Sequence, residues 1–362
     1  MNKIALGLMS GTSADGLTVC AVSVRPFKVL HFKNYAYPAA LQQKLLNAYA
    51  LRAPELSALH FELGRLYASI VSKFLKEFHI PAKRISVIGS HGQTVYHGPH
   101  DKTPNTLQIG EPSFLAALCG CPVVSDFRAM DIALGGEGAP LIPFFDEYVW
   151  GRSTPKILLN VGGISNFSAV GKNLKTFGFD AGPGNTLIDL ACQRLLHKPF
   201  DKNGQTAAKG TPDKKKVQTL LRQKYFLRRP PKSLDKNAFG EAYLIKYFAP
   251  AKAENPADLL ATLTYFTAAA VARAVRDFVP KNAQKELVVS GGGCYNQTLL
   301  AYLQELLPHM KVTTTLAYGV DPQAKESAAF ALFAWLALNR KTNHCARATG
   351  AKTNAVLGKI TL

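Results

Sequence analysis

Gly11-Thr12-Ser13-Ala14-Asp15-Gly16 lies between two apolar runs, Ile4 to Met9 and Leu17 to Val24, and its residue types suit an anion. Glycines let backbone N–H groups approach a phosphate closely, Thr12 and Ser13 bring hydroxyl donors, and Asp15 is placed to hold a metal that bridges phosphate oxygens. Three more glycine elements follow. Gly162-Gly163 joins the run Lys156 to Val161 to the run Ile164 to Val170. Phe179-Asp180-Ala181-Gly182-Pro183-Gly184-Asn185 passes from a short strand into a helix with Leu187, Leu190, Ala191 and Leu195 on one face. Gly291-Gly292-Gly293 follows the buried-strand pattern Glu286 to Ser290 and opens a helix from about Tyr295. A different polar loop, Gly89-Ser90-His91-Gly92-Gln93-Thr94, ends a strand at 85–90, where α/β sheets place ligand contacts.

Four such loops need elements to hold them. The economical arrangement is two similar α/β lobes, each contributing hairpins and helix N-termini to a cleft that cradles a polyphosphate from both sides. Strands are expected near 4–9, 17–24 and 29–35, and helices near 39–50 and 55–78. The lobe boundary is expected in the flexible Gly135-Gly136-Glu137-Gly138-Ala139-Pro140. That gives an N-terminal lobe of 1–135 and a C-terminal lobe of 136–362, with the last helices able to pack back on the first lobe. Pro256 to Phe278 reads as a core helix, with Asn255 as its N-cap and Leu259, Leu260, Leu263, Phe266, Val271, Val275 and Phe278 on an apolar stripe.

Composition narrows the class. A chain of 362 residues accommodates two domains, and 47% hydrophobic content is globular rather than disordered or collagenous. Met1-Asn2-Lys3 leads straight into a strand, which does not fit a secretory leader, and the apolar run Ser327 to Leu338 is too short to span a bilayer. Six scattered cysteines read as cytosolic thiols, and Cys119-Gly120-Cys121 lacks the second Cys/His pair a zinc site needs. The formal charge of +19 concentrates between Lys209 and Lys236, including Lys214-Lys215-Lys216 and Arg228-Arg229. Without interleaved aromatics this reads as a solvated basic face that steers small anionic substrates, not as a nucleic-acid surface.

The ordered motifs carry a resemblance. Gly7-Leu8-Met9-Ser10-Gly11-Thr12-Ser13, Gly89 to Thr94, Leu107-Gln108-Ile109-Gly110-Glu111, Asp126-Phe127-Arg128, Gly135 to Pro140, Asn160 to Asn166 and Phe179 to Asn185 are similar to the anhydro-N-acetylmuramic acid kinase family. So are Pro231-Lys232-Ser233, Ala261-Thr262-Leu263-Thr264, Gly291 to Asn296, Lys325 to Phe330 and Ala348-Thr349-Gly350-Ala351, so the resemblance covers essentially the whole chain. It implies two ribonuclease-H-like lobes of the actin/hexokinase/Hsp70-type ATPase fold around a nucleotide cleft. It also implies a cytoplasmic homodimer that uses ATP and Mg²⁺ to open the 1,6-anhydro bond of a cell-wall sugar and phosphorylate O6, giving N-acetylmuramic acid 6-phosphate in peptidoglycan recycling.

The resemblance further implies roles by position. Gly11, Thr12, Ser13, Ala14, Asp15, Gly16, Leu17 and Thr18 belong to the phosphate hairpin, with Asp15 on the metal. Gly162, Gly163, Gly182 and Gly184 close on the phosphates, and Gly291, Gly292, Gly293 and Asn296 lie against the adenosine. Asp180 is the catalytic base, and Glu326, opening a helix rich in Ala and Phe, either orients water or metal or favours the positive helix end. His91, Gln93, Thr94, Arg128 and Asp131 bind the sugar, Arg128 offering its planar fork to the lactyl carboxylate. One departure concerns Thr18, where the family usually has a second acid, which puts one metal or metal-water contact in doubt. The competing readings are a kinase for another 1,6-anhydro sugar such as levoglucosan, and a non-catalytic nucleotide-dependent sensor.

Overall fold

Ile4 to Leu8 are all buried, as are most residues of Gly16–Val24, whereas Phe27–Ala36 is half-buried or exposed except at Tyr35. The first two therefore form interior strands covered on both faces, and the third lies at a sheet edge. The computed structural model describes residues 3–230, 232, 234, 238–249 and 255–362. Pro231, Ser233 and Lys236, named above, lie outside the described residues. Among the described residues the strands are β1 Ile4–Met9, β2 Gly16–Val24, β3 Phe27–Ala36, β4 Ile85–Ser90, β5 Gln93–Gly98, β6 Asn105–Ile109, β7 Val123–Ser125, β8 Lys156–Val161, β9 Ile164–Val170, β10 Phe177–Pro183, β11 Glu286–Ser290, β12 Lys311–Thr314 and β13 Lys359–Thr361.

The chain divides into two units, Met1–Phe145 with Ala324–Leu362, and Asp146–Gln323. In the first, the sheet order is β13-β7-β4-β1-β2-β3, with β1–β2 and β2–β3 antiparallel, β4 and β7 added in parallel beside β1, and β13 antiparallel to β7. In the second, the order is β10-β9-β8-β11-β12, again three antiparallel strands followed by two parallel ones. β13 apart, the two sheets share one plan, the duplicated α/β architecture expected from the paired glycine hairpins. β5 and β6 form a separate two-stranded ribbon.

The Ala53–Glu77 helix starts where the Glu55 carboxylate accepts the Arg52 backbone N–H at 3.0 Å, and it buries Leu59, Leu63, Tyr67, Val71 and Phe74 at helical spacing. The helix expected at 39–50 is interrupted at Asn47, with a 3₁₀ turn from Ala48 to Ala50. The Lys325–Leu338 helix is buried almost all round and packs on β1 and β4. Its backbone comes so close that a Cβ on Gly7 would sit 1.8 Å from the Ser327 carbonyl oxygen, and one on Gly89 would sit 2.1 Å from that of Phe330. This packing places residues 324–362 in the first unit, and the division falls at 145/146, ten residues beyond the position read from the glycine-rich loop.

In the second unit, Asn255 Oδ1 accepts the Ala257 N–H at 3.0 Å and caps the Pro256–Phe278 helix, an N-cap of a kind that stabilises by about 1 kcal/mol. This helix is long and apolar enough to cross a membrane, but most of that stretch is buried inside the unit. In the basic segment, the Lys214–Leu220 helix buries Val217 and Leu220, while Lys214 pairs with Glu305 at 2.8 Å. All six cysteines are buried thiols.

Candidate active site

The β1–β2 hairpin turns sharply at Ala14, whose φ is +49° and whose N–H donates to the Gly11 carbonyl at 3.0 Å. Ala14 and Leu17 are buried in the core, whereas Thr12, Ser13 and Asp15 are exposed. The two apolar residues therefore anchor the loop, and the polar side chains named for phosphate and metal face solvent. Leu17 and Ala14 have only backbone to offer a ligand. Thr18 pairs with Met9 and Asn34 in the sheet and is half-buried.

Gln93 serves this hairpin directly. It is 2% exposed, its Oε1 accepts from Ser10 Oγ at 2.6 Å, and its Nε2 donates to the Gly11 carbonyl at 3.1 Å. Ser10 Oγ also takes a hydrogen bond from Tyr37 at 3.1 Å. The Gln93 amide is thereby engaged with the β1–β2 hairpin, bracing it from β5. Thr94 is half-buried, with Oγ1 accepting from Gln108 at 3.4 Å.

His91 and Arg128, two of the residues expected to bind the sugar, are hydrogen-bonded to each other. Arg128 Nε and Nη2 each lie 3.1 Å from His91 Nε2, and His91 Nδ1 is 2.9 Å from the Gly92 carbonyl. Because an arginine can only donate, Nε2 must accept, which assigns the proton to Nδ1. Burial and then the Arg128 charge push the His91 pKa from the usual 6.5 down to about 3. Burial lowers Arg128 to about 10 against the opposing charges of Glu326 and Asp131. Glu326 is half-buried and raised above the ordinary carboxyl range by burial, with Lys325 and Arg128 acting the other way.

A depressed imidazole pKa has a definite sign in stability. The unfolded chain takes up a proton near 6.5 that folded His91 refuses until about 3, so its contribution is full above 6.5 and drains away as pH falls through that window. His97, lowered to about 4 chiefly by burial, acts in the same direction. The melting temperature of the wild type is expected to fall between about pH 7 and pH 5, and His91→Gln should show a shallower slope over that range. Parallel slopes in a pH series of thermal melts would place the proton uptake elsewhere.

Asp131 is wholly buried, and both carboxylate oxygens are engaged. Oδ1 lies 2.5 Å from Thr349 Oγ1 and from His344 Nε2, and Oδ2 accepts the Gly138 N–H at 2.5 Å. Burial opposes its charge, but the hydrogen bonds from His344, Thr349 and Gly138 outweigh it and hold the carboxyl below its ordinary range. Asp131, named above for the sugar, ties the Gly135–Gly138 loop to the C-terminal segment, and the Gly138 carbonyl in turn takes Arg128 Nη1 at 3.5 Å.

In the second unit the glycine loops named from the sequence converge. The N–H groups of Gly184 and Asn185 donate to the carbonyls of Gly163 and Gly162 at 2.9 and 2.7 Å, Thr186 Oγ1 donates to Gly163 at 3.0 Å, and Asn185 Nδ2 donates to Val161 at 3.1 Å. A Cβ on Gly184 would lie 2.2 Å from the Gly162 oxygen, so only glycine lets these loops meet. Gly291 abuts Asn160 and Val161, Gly293 packs on Val161, and Gly292 is exposed beside Asn185. Gly182 departs from the group. It is buried, and its Cβ position faces Ala270 and Phe226. Asn296 is 7% exposed, and its Oδ1 caps the Gln297–Leu306 helix through the Leu299 N–H at 2.9 Å, so that oxygen is committed to structure.

Asp180 sits on β10, an edge strand, where the pairing with β9 shifts between Asp180 and Gly182. Such a bulge re-aims a side chain. Its Oδ2 accepts the Leu234 N–H at 2.8 Å, its N–H donates to the Lys232 carbonyl at 3.2 Å, and its carbonyl accepts from Tyr225 at 2.6 Å. Tyr225, Lys232 and Leu234 were not among the residues expected at the site. They are 45 to 54 positions from Asp180, beyond the reach of any local spacing rule. Glu326, paired with Asp180 in the expected catalytic roles, belongs to the other unit.

Among the described residues no group of three or more His, Cys, Asp or Glu side chains is arranged to hold a metal ion. A single exposed carboxylate, Asp15, fits a magnesium ion that keeps several waters and is held mainly by phosphate oxygens. Such a donor set does not suit a metal bound by protein alone.

A model of the family described as anhydro-N-acetylmuramic acid kinase matches residues 3–362. The chain is 37% identical to the anhydro-N-acetylmuramic acid kinase of Francisella tularensis subsp. novicida, over 99% of this chain and 98% of that one. It is 39% identical to the anhydro-N-acetylmuramic acid kinase of Coxiella burnetii strain Dugway 5J108-111, covering 98% and 96% of the two chains. Among solved structures, component A of the Acidaminococcus fermentans (R)-2-hydroxyglutaryl-CoA dehydratase aligns with 92% of this chain and 98% of its own at 13% identity and a TM-score of 0.47, a likeness too slight to bear on function.

Proposed function

The chain belongs to the anhydro-N-acetylmuramic acid kinase family, and on that premise we propose that it opens the 1,6-anhydro bond of anhydro-N-acetylmuramic acid and phosphorylates O6 from ATP. Asp180 takes a proton from a water that attacks C1. The new bond is C1 to the water oxygen, and the bond that breaks is C1 to the bridging O6, which leaves with the electron pair. O6 then bonds to the γ-phosphorus as the β–γ P–O bond breaks and ADP departs. Magnesium, when bound, would neutralise charge on the phosphates beside Asp15. The exposed hydroxyls of Thr12 and Ser13 and the backbone of Gly163 and Gly292 supply donors for phosphate and nucleotide.

His91 and Arg128 are the sugar-binding pair in this reading. The guanidinium has donors to spare for the lactyl carboxylate, and the neutral imidazole, both of its nitrogens engaged, orients that guanidinium. The product, N-acetylmuramic acid 6-phosphate, places the enzyme in cytoplasmic recycling of peptidoglycan as a homodimer acting on small molecules, not on nucleic acid or membranes. The observation that carries the proposal is the family match from residue 3 to 362 with Asp180 fixed at a bulged strand end.

Stereochemistry tests the role given to Asp180. In a 1,6-anhydro pyranose the bridging oxygen occupies the β face at C1, so an activated water must arrive from the opposite face, and a single displacement inverts the centre. The first product is expected to be the α-anomer. Proton NMR in the first minutes, at high enzyme concentration, resolves the two anomers before they equilibrate. A predominantly β initial product requires two inversions, through a glycosyl-enzyme, and would remove the general-base assignment.

A further inference from the structure

We propose that Tyr225 and Lys232 are positioning residues that together fix the Asp180 carboxylate, a role that rests on reading Asp180 as the base. Asp180 lies on an edge strand, where a backbone N–H otherwise points to solvent and the strand is free to fray. Here the segment containing Lys232 and Leu234 covers that edge. It gives the Lys232 carbonyl to the Asp180 N–H at 3.2 Å and the Leu234 N–H to Asp180 Oδ2 at 2.8 Å. Tyr225 grips the same residue through its hydroxyl, which donates to the Asp180 carbonyl at 2.6 Å.

The two gripping segments are themselves tied. Lys232 is 5% exposed, and its ammonium donates to the Tyr225 carbonyl at 3.3 Å. The same ammonium lies 4.7 Å from the ring centre of Phe278, 4.8 Å from that of Tyr225 and 5.4 Å from that of Phe179. Three ring faces and a carbonyl make a site for a cation that an apolar side chain would fill without the electrostatic attraction. Phe179 is the residue before Asp180, so the cage also fixes the start of the bulge. Burial, followed by the Asp180 charge, raises the Tyr225 phenol, so it stays protonated and keeps its donor role. Burial brings Lys232 down to about 8, the expected response of an ammonium enclosed by rings.

A base displaced by about 1 Å loses roughly 10²-fold in rate while both substrates still bind. Tyr225→Phe and Lys232→Met should therefore lower kcat by about 10- to 100-fold, with KM for Mg-ATP and for anhydro-N-acetylmuramic acid within about threefold of wild type. Lys232→Arg, which keeps a cation against the rings, should recover most of the loss. The double variant Tyr225→Phe/Lys232→Met should fall within about threefold of the worse single variant, because both changes release the same group. The measurement is steady-state kinetics on the full chain with Asp180→Asn run alongside. If Asp180→Asn turns over normally, the base assignment fails and takes the positioning role with it. If Asp180→Asn is inactive while both single variants keep kcat within about twofold, or raise KM alone, only the positioning role is overturned. Should Lys232→Met fail to fold, Tyr225→Phe decides by the same criterion, since it removes one hydroxyl and no packing.

Discussion

Asp180→Asn is expected to lower kcat by about 10³-fold or more while ATP affinity stays within about tenfold of wild type. The substitution keeps the shape of the side chain, and an amide oxygen can still accept the Leu234 N–H that the carboxylate accepts at 2.8 Å. What it removes is basicity, and an amide cannot take a proton from water at any useful pH. Because one proton transfer starts a coupled sequence, the variant should neither phosphorylate the sugar nor open the anhydro ring. Mass spectrometry of the sugar together with an ADP assay reads both, and calorimetric titration reads ATP binding. Substantial turnover would assign activation of the water to another residue, and ring opening without ADP would break the coupling.

Gly184→Ala is expected to be nearly as damaging by a different route. Its Cβ would lie 2.2 Å from the Gly162 oxygen and 2.9 Å from Gly163, all backbone, so the loops must separate. That strain costs about 1–3 kcal/mol and loosens the contact through which Gly162 and Gly163 meet the start of the Thr186–Leu196 helix. The melting temperature should drop by several degrees, and kcat/KM for ATP by about 10²-fold. Gly162→Ala is the control, because its Cβ would find no neighbour nearer than 3.8 Å and should leave the melting temperature unchanged. Equal melting curves for the two variants would show that the turn yields easily and that close approach at Gly184 is unimportant.

The elements that position the site were legible where the signal is local. Strands β1, β4, β8, β9 and β11 lie where apolar runs ended by glycine placed them, and the Pro256–Phe278 helix begins at the Asn255 cap. Both readings depend on side-chain periodicity and backbone preference within a few residues. The Asn296 cap was equally local, since an Asn just before an apolar-periodic helix is an N-cap signal.

The sequence by itself determined the family, the duplicated α/β plan and the loops that must meet, because glycine, apolar period and motif order are properties of short segments. Only the tertiary structure decided which polar groups are spent on the fold. Gln93 is taken by Ser10, 83 positions away, and Asp131 by Thr349, 218 positions away. Gly182 turns to the core of its unit, and Tyr225 and Lys232 reach Asp180 from 45 and 52 positions away. A buried polar atom must find a partner wherever the packed chain brings one, and that partner is chosen by the folded backbone, not by its neighbours in sequence.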